Sequence, residues 1–570
     1  MSCGRQRLPR NRRYGEVKED NMAKTVLYNG KIYVERDVFA EAVFQEDGII
    51  KMVGTNEEVL AACGDAERID CQGKTVLPGL NDSHMHLMFL GKVKMTPALG
   101  EAKNIDDMVD MCKKYLEENP DAKGLYAMGW NQDKWENWDG RLPDRHDMDK
   151  ISTEIPVVLA RACGHSSAAN TKAMELCGIT PENNKVEGGD VFLEEDGVTP
   201  NGYLCEKAGF IARETVPEFT REQYKTAFKK AMNYAVSVGL TSVQSNDAGQ
   251  IFEYGICYDI MKEVYEEGDG LLRYCGQLSF PSPEALKAHC EGPDFQASLY
   301  DDKLTYGPLK ILKDGSLGAR TAMMRNGYAD DPDNYGVETD TDEYIESLMK
   351  VAQEHGMQTV IHCIGDNAIE RMVKLYEKIN GGEENPNRHS IIHCQITDQG
   401  LMDEIKRTNT LIAYQPAFLP IDQYAVVPRC GEELAVQTYA FGTAAKMDIR
   451  ASYGTDSPVE DCNPFECIYA AVTRKDLKGS YMGVQGLDPA KDPDGCFVPS
   501  ECVDVTTAVD AYTIESAYHE FREDVKGRIK EGYYADMIIL DKDIFTCDPM
   551  EIKDIKPELT MVGGKIVYRK

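Results

Sequence analysis

Long apolar runs are missing from this chain: no window approaches the roughly 20 apolar residues that a membrane-spanning helix needs. The leader MSCGRQRLPRNRRYGEVKEDNM carries arginines but no apolar core, so a secretion signal is not expected. Basic residues are also in short supply. Lys and Arg total 63 against 96 Asp and Glu, and the net charge of −33 repels phosphate backbones and anionic headgroups. Neither nucleic acid nor a membrane surface is an expected partner. The 18 cysteines include no C-x-x-C pair, and Cys363 and Cys394 stand in apolar runs where a thiol behaves as a small buried hydrophobe. This usage fits a reducing cytoplasm. Histidine, with 10 copies, and tryptophan, with 3, are scarce enough for their positions to carry weight.

At 570 residues the chain exceeds one ordinary domain, although a single α/β barrel with insertions absorbs most of such a length. Arg5, Arg7, Arg10, Arg12 and Arg13 give the leader one feature of a mitochondrial presequence, but it lacks amphipathic spacing and turns acidic at Glu16, Glu19 and Asp20. Residues 1–23 read as a disordered leader, or as sequence upstream of a start at Met22. From about residue 220, amphipathic helical stretches alternate with short β-branched runs that end in polar residues, the pattern of a parallel α/β fold. In YKTAFKKAMNYAVSVGLTSVQSND, Tyr224, Phe228, Ala231 and Ala235 share a helical face, Gly239 stops the helix and LTSVQSND is the strand. With VLPGLNDSHMH counted first, LLRYCGQLSF, LKILKDG, QTVIHCIGD, SIIHCQI, LIAYQPA and RASYGTD bring the strands to eight. The expected fold is α/β: a (β/α)8 TIM-type barrel, whose active site lies at the C-terminal strand ends.

More than a hundred residues separate the first two strands, too many for one crossover, so an inserted α/β subdomain is expected over about 95–215. It holds all three tryptophans, in GWNQDKWENW. TVLYNGKIYVERD (25–37) and LTMVGGKIVYRK (559–570) are strands turning at Asn-Gly or Gly-Gly, expected to pair in one small sheet. Together with GIIKMVG and GRIKEGYYADMIILD they give a flanking β-sandwich made from both termini. The expected division is 24–75 plus 520–570 for the sandwich and 76–519 for the barrel. LDPAKDPDGCFVPSE (487–501) reads as a loop over the barrel mouth.

The chemistry is concentrated at strand ends. His84 and His86, two apart, project to one side of their strand. Strand five ends in His362, strand six in His393 and strand eight in Asp456. Four imidazoles and a carboxylate converging on one rim form a nitrogen/oxygen set suited to Zn²⁺, Fe²⁺ or Mn²⁺. Four separately satisfied core histidines are the bland alternative. Strand four offers Lys310. An ammonium beside a dication is a poor ligand, and neutralising a lysine of pKa about 10.4 at pH 7 costs roughly 4 to 5 kcal/mol. Reaction of the neutral amine with CO₂ gives a carbamate, a two-oxygen ligand able to bridge two metals. Lys313 competes, but its odd offset points it to the opposite face; a Lys310 capping the barrel or pairing with Asp314 stays open.

PGLNDSHMH, LKILKDGSLGART, IHCIGD, IIHCQ and YGTDSPVE, with the closing GRIKEGYYADMIILD and VGGKIVY, resemble the amidohydrolase superfamily. They resemble in particular its amidohydrolase-3 branch, which includes N-substituted formamide deformylases, and the likeness runs from about residue 24 to the C-terminus. The resemblance implies His84 and His86 as ligands of a first metal, Lys310 as a carboxylated bridging lysine and His362 and His393 as ligands of a second. It implies Asp456 as the strand-eight aspartate that contacts metal and hydrolytic water. Trp130, His165, Asn170 and Arg320 match elements that lie near substrate in the branch. The expected activity is metal-dependent hydrolysis of a non-peptide amide-type C–N bond in a small molecule, by hydroxide generated at a bound divalent cation. That cation is expected to be Zn, with Fe or Mn as alternatives, in one or two copies.

Deamination or decarboxylation on the same site is the alternative reaction, and a non-catalytic oligomeric scaffold a remote one. Expected partners are a small-molecule substrate and further copies of the chain, in a homodimer or higher homo-oligomer. Trp130 is read as a substrate wall, with Trp135 and Trp138 as insert core. Ser166 and Ser167 after His165 look like a helix N-cap. Arg320 either binds a substrate carboxylate or pairs with loop acids, and Met323 and Met324 read as packing.

Overall fold

A computed structural model describes the chain except at 1–23, 133–134, 136–137, 139, 162–165, 250–253, 383, 485–491 and 493. The leader and residues 487–491 and 493 of the 487–501 loop therefore lie outside the described residues. Eight parallel strands form the central barrel: β1 Leu80–Met85, β2 Leu240–Ser245, β3 Arg273–Leu278, β4 Leu304–Leu312, β5 Thr359–Cys363, β6 Ser390–His393, β7 Leu411–Tyr414 and β8 Ala451–Tyr453. Each pairs with its sequence neighbour, from β1 to β8. The seam between β1 and β8 is joined just past the strand ends, where Asp456 N–H donates to the His84 carbonyl and His86 N–H to the Ser457 carbonyl, both at 2.7 Å.

Every residue of β1, β2 and β3 is buried, as expected for parallel strands covered on both faces. The helices that cover them are built by local rules. In Arg221–Ser237, Thr220 accepts from Gln223 N–H in a reciprocal capping box, while Ala227, Phe228, Ala231, Met232 and Ala235 are buried against the barrel. Burying Phe228 and Met232 contributes about 1.5–3 kcal/mol each. The helix ends at Gly239, whose φ of 93° is a left-handed conformation that glycine adopts freely.

The inserted unit is a five-stranded sheet in the order Gly189–Leu193, Pro200–Glu206, Ser166–Ala169, Val157–Arg161 and Leu125–Trp130. Its helices include Ile105–Glu118 and Thr171–Leu176. The flanking sandwich consists of two sheets. One runs Ile49–Gly54, Ala42–Glu46, Lys24–Tyr28, Glu67–Asp70; the other runs Lys565–Arg569, Pro557–Val562, Met537–Leu540, Thr75–Pro78, Lys31–Glu35, Val38–Ala40. Leu27, Ile32, Val43, Val76, Ile539 and Met561 fill the space between them.

Two strand readings need correction. The chain ends do not pair directly: Asn29 (φ 53°) and Gly30 carry the chain from one sheet to the other, so Lys24–Tyr28 and Lys31–Glu35 face each other across the sandwich. The C-terminal pair does form a hairpin, and it shares a sheet with Lys31–Glu35 only through the intervening strands. VLPGLNDSHMH also divides. Thr75–Pro78 pairs with Lys31–Glu35 and Met537–Leu540 in the sandwich, and only Leu80–Met85 enters the barrel. Gly79 sits at the break, where a Cβ would lie 2.1 Å from Thr241 Oγ1. Barrel and sandwich are further joined by the buried Arg273–Asp536 pair, at 2.7 and 3.1 Å.

Candidate metal centre

The end of β1 and the residues after β8 bring His84, His86 and Asp456 together, with one ligand atom from each within 4.8 Å of the others. Asp456 Oδ1 lies 3.2 Å from His84 Nε2 and 3.1 Å from His86 Nε2. It nevertheless makes no hydrogen bond of acceptable geometry. Donors around a tetrahedral zinc ion, each about 2.0–2.1 Å from it, stand roughly 3.3 Å apart, so this spacing suits a shared cation. The opposite ring nitrogens are already committed. His84 Nδ1 is 2.7 Å from Gln277 Oε1, and His86 Nδ1 is 2.5 Å from the Asn246 carbonyl. Both partners accept, so each imidazole carries its proton on Nδ1 and presents the Nε2 lone pair.

The other expected residues adjoin this trio. The His84 ring is 5.7 Å from that of His393, which is 4.3 Å from that of His362. Both His393 nitrogens are buried without a hydrogen-bond partner, a costly arrangement for a ring with no further role. His362 Nε2 is 2.9 Å from the Gly315 carbonyl, which leaves Nδ1 as its free nitrogen. Burial drives His84 down to about 4, His362 down to about 3 and His393 well below the ordinary imidazole range, so these rings are neutral and available as ligands. In His86 burial works the same way, but contact with Asp456 outweighs it and the pKa is raised. Burial opposes ionisation of Asp456, yet His84 and His86 hold it well below the carboxylate range. His393 (φ 77°), the last residue of β6, and Asp456 (φ 56°), just past β8, both adopt left-handed backbone, strain of order 1 kcal/mol or more retained at this rim.

Lys310 is buried, and its Nζ makes no hydrogen bond or ion pair among the described residues; burial lowers its pKa to about 8. Neutralising it at pH 7 then costs about 1.4 kcal/mol instead of 4 to 5. The pairing with Asp314 does not occur, because that carboxylate takes backbone N–H groups from Met323, Ile364 and Gly365 at 2.8–3.0 Å. Lys313 serves elsewhere: its Nζ binds Glu338, the Asp340 carbonyl and Asp342.

The residues expected near substrate are mostly structural. Trp130 is buried, stacks on Trp135 at 5.9 Å and donates its indole N–H to the Leu159 carbonyl, so it belongs to the core of the insert. Trp138 is the exposed one of the three. Asn170 has no capacity left for a substrate. Its Oδ1 accepts from Ala173 and Val157 N–H, and its Nδ2 donates to the Ser152 and Ile155 carbonyls. Asn170 is also the N-cap of Thr171–Leu176, whereas Ser166 and Ser167 lie in a strand. Arg320 forks onto the loop acid Asp330 at 3.1 and 2.8 Å, so the second of its two readings holds. Met323 and Met324 are packed in the main core. His165 lies outside the described residues.

Three further residues with a part in the site lie within the quoted stretches and are not singled out by the sequence alone. Gln277, at the end of β3, holds His84 and donates to the Ser83 carbonyl at 3.0 Å. Asp82, wholly buried, accepts from His84 N–H, Thr455 N–H and Thr455 Oγ1 at 3.1, 3.1 and 2.6 Å. Asp247 accepts from Met88 N–H at 3.1 Å, fixing the start of the helix that follows His86. Polar letters inside otherwise apolar barrel strands were the available clue.

A model of the amidohydrolase family matches residues 67–568. The chain belongs to that family. The YtcJ amidohydrolase of Bacillus subtilis is 30% identical over 557 residues, covering 96% of this chain and 100% of its own. The N-substituted formamide deformylase of Arthrobacter pascens is 24% identical over 560 residues, covering 94% and 96%. Among solved structures, a metal-dependent hydrolase from Pyrococcus furiosus superposes with a TM-score of 0.73 at 26% identity, over 92% of this chain and 100% of that one. This amidohydrolase is a metal-dependent hydrolase of C–N bonds other than peptide bonds. Deaminase, decarboxylase and scaffold readings are not favoured. No helix among the described residues is long and apolar enough to cross a membrane.

Proposed function

We propose that the substrate is an N-formyl or N-acyl amine, cleaved to a carboxylic acid and an amine. The reading assigns His84, His86 and Asp456 to one divalent cation, which we take to be zinc. His362, His393 and a carboxylated Lys310 are assigned to a second ion, with Lys310 shared between the two. The carrying observation is Asp456 Oδ1 set between two imidazole Nε2 atoms at 3.2 and 3.1 Å, with both Nδ1 positions tied back. The substrate class is supported by the deformylase relative, and the carbamate by the buried, unpartnered amine of Lys310.

When bound, the cation supplies Lewis-acid polarisation of the substrate carbonyl and lowers the pKa of water from 15.7 to about 7. Gln277 and the Asn246 carbonyl hold the imidazoles in one tautomer, so the rings need no reorganisation when the ligand arrives. With Asp456 Oδ1 directed at the cation position beside the two Nε2 atoms, Oδ2 takes a proton from the attacking water. The water oxygen bonds to the carbonyl carbon, the C–N bond breaks, and the Asp456 proton passes to the leaving nitrogen. The reading also includes a cytoplasmic setting, homo-oligomeric assembly and a unit at about 95–215 that shapes the entrance to the site.

A panel of N-formyl and N-acyl amines assayed with metal-loaded protein tests the substrate class. The expected result is release of one amine per turnover from at least one member; a fully metallated protein inert across the panel refutes it. Replacing Asp456→Asn is expected to leave most metal bound and to lower turnover by about 10²–10⁴.

A further inference from the structure

We propose that Cys496 and Cys502 are a modification site: a thiol pair that a hydroperoxide closes to an intramolecular disulfide. Their Sγ atoms lie 3.4 Å apart and both residues are half-buried, within reach of a small oxidant. A disulfide needs about 2.05 Å, so the sulfurs approach by about 1.4 Å. The backbone around them is anchored on both sides. Phe497 donates its N–H to the Arg474 carbonyl at 3.1 Å, and its own carbonyl accepts from Arg474 Nε at 2.6 Å. The buried Glu501 carboxylate accepts from Thr443 N–H and Oγ1 at 2.8 and 2.6 Å. The two thiols are thus held facing each other by neighbours that do not depend on the sulfurs.

The electrostatics give the pair a direction. The guanidinium of Arg474 is wholly buried, with NH2 lacking a hydrogen-bond partner, and lies beside both cysteines. The Cys502 thiol donates to Cys496, and with Arg474 and Lys475 this overcomes burial to bring Cys496 down to about 7. Cys502 is pushed the other way by the same contact. Burial alone pushes the Cys112 thiol up to about 12. A low-pKa, reachable thiolate beside a second thiol is the arrangement that reacts with peroxide and is then resolved. The Cys496 thiolate attacks one oxygen of hydrogen peroxide, forming S–O and breaking O–O, and the hydroxide released takes a proton from solvent and leaves as water. The Cys502 sulfur then attacks the Cys496 sulfur, forming S–S and breaking S–O, and a second water leaves. Two electrons pass from the sulfurs to the peroxide.

The consequence runs towards the barrel rim. Oxidation removes the thiolate beside Arg474, whose NH1 donates to the Tyr439 carbonyl at 2.9 Å. The Tyr439 hydroxyl binds Asp422 at 2.6 Å and accepts from Gln395 Nε2 at 3.1 Å, and Gln395 lies two residues beyond His393. The inference does not rest on the proposed substrate or metal.

Full-length reduced protein is treated with about one equivalent of hydrogen peroxide, alkylated and digested with trypsin, which leaves both cysteines on one peptide. The expected peptide is unalkylated at both positions and lighter by two hydrogens. Total thiols fall by two, and dithiothreitol reverses both changes. In C502S, dimedone is expected to trap a sulfenic acid on Cys496, whereas C496S leaves Cys502 unmodified. Recovery of both cysteines alkylated while Cys177, Cys430 or Cys547 is consumed overturns the proposal, as does separate over-oxidation of each without a disulfide.

Discussion

Replacing Gln277→Met tests whether the site depends on residues that never touch the ligand. Met has a similar length and burial preference, so the cavity stays filled while the two polar functions of the amide disappear. His84 Nδ1–H loses its acceptor at 2.7 Å, and the Ser83 carbonyl loses its donor at 3.0 Å. All three residues are buried, so neither orphan is rescued by bulk water. Each unsatisfied group costs about 1–3 kcal/mol, giving a stability loss of about 2–6 kcal/mol. The free His84 ring can also protonate Nε2 or rotate, and loss of such an outer partner lowers metal affinity by about 10- to 100-fold. Chelator competition measures the affinity, and denaturant unfolding of the metal-free protein measures the stability. Gln277→Glu keeps an acceptor for His84 and is expected to retain more of the affinity than Met. An unchanged metal affinity in Gln277→Met would refute the view that Gln277 fixes the His84 tautomer, even if stability fell.

Other perturbations read different parts of the structure. Asp82→Ala orphans three buried donors, His84 N–H, Thr455 N–H and Thr455 Oγ1, and is expected to cost at least about 3 kcal/mol by denaturant titration; a loss below about 1 kcal/mol would mean that the seam does not rely on it. Gly79→Ala places a Cβ 2.1 Å from Thr241 Oγ1 and is expected to destabilise the fold by about 1–3 kcal/mol, whereas an unchanged melting temperature would show that the chain can shift there freely. His389 and His519, which are not among the proposed ligands, are held down to about 4 and about 3 from 6.5, by burial in both and, for His519, also by His84 and Arg388. Their folded forms stay neutral while the unfolded chain takes up protons below pH 6.5, so stability is lost as pH falls from 6.5 towards those values. Each costs about 1.4 kcal/mol at pH 5.5. The stability difference between pH 7.5 and 5.5 is therefore expected to shrink by about 3 kcal/mol in a His389→Gln, His519→Gln variant, and no shrinkage would contradict the assignment.

Much of the barrel was legible because parallel strands buried on both faces leave a simple trace: a β-branched apolar run with its polar letters at one end. His362, His393 and Asp456 stand at such ends, which is why the rim could be listed strand by strand. What escaped was set by partners distant in sequence. Gln277 meets His84 across 193 positions, and the group that holds His86 is a backbone carbonyl, which has no letter at all. The N-cap of Thr171–Leu176 shows the same limit. Ser and Asn cap almost equally well, and pairing of Ser166–Ala169 with Val157–Arg161 decided between Ser167 and Asn170. Sequence alone suits Trp130 to a pocket wall or a small core equally; the sheet of the insert encloses it.

The site also bears on how the chain must fold. The trio of His84, His86 and Asp456 spans the seam between the first and last barrel strands, and the groups that close the seam are its neighbours. Asp456 N–H reaches the His84 carbonyl, His86 N–H reaches the Ser457 carbonyl, and Asp82 clasps Thr455. A chain whose seam is open therefore has no assembled trio, so a cation bound by it favours the closed barrel and adds stability of RT ln(1 + [L]/Kd), about 4.1 kcal/mol at 1,000 Kd. The pairs that join β1 to β8 are separated by some 370 positions, among the contacts whose loop-closure entropy is hardest to recover during folding. Placing the proposed ligands there couples the site to the most distant contact of the barrel, so closure of the fold and assembly of the candidate metal centre are one event.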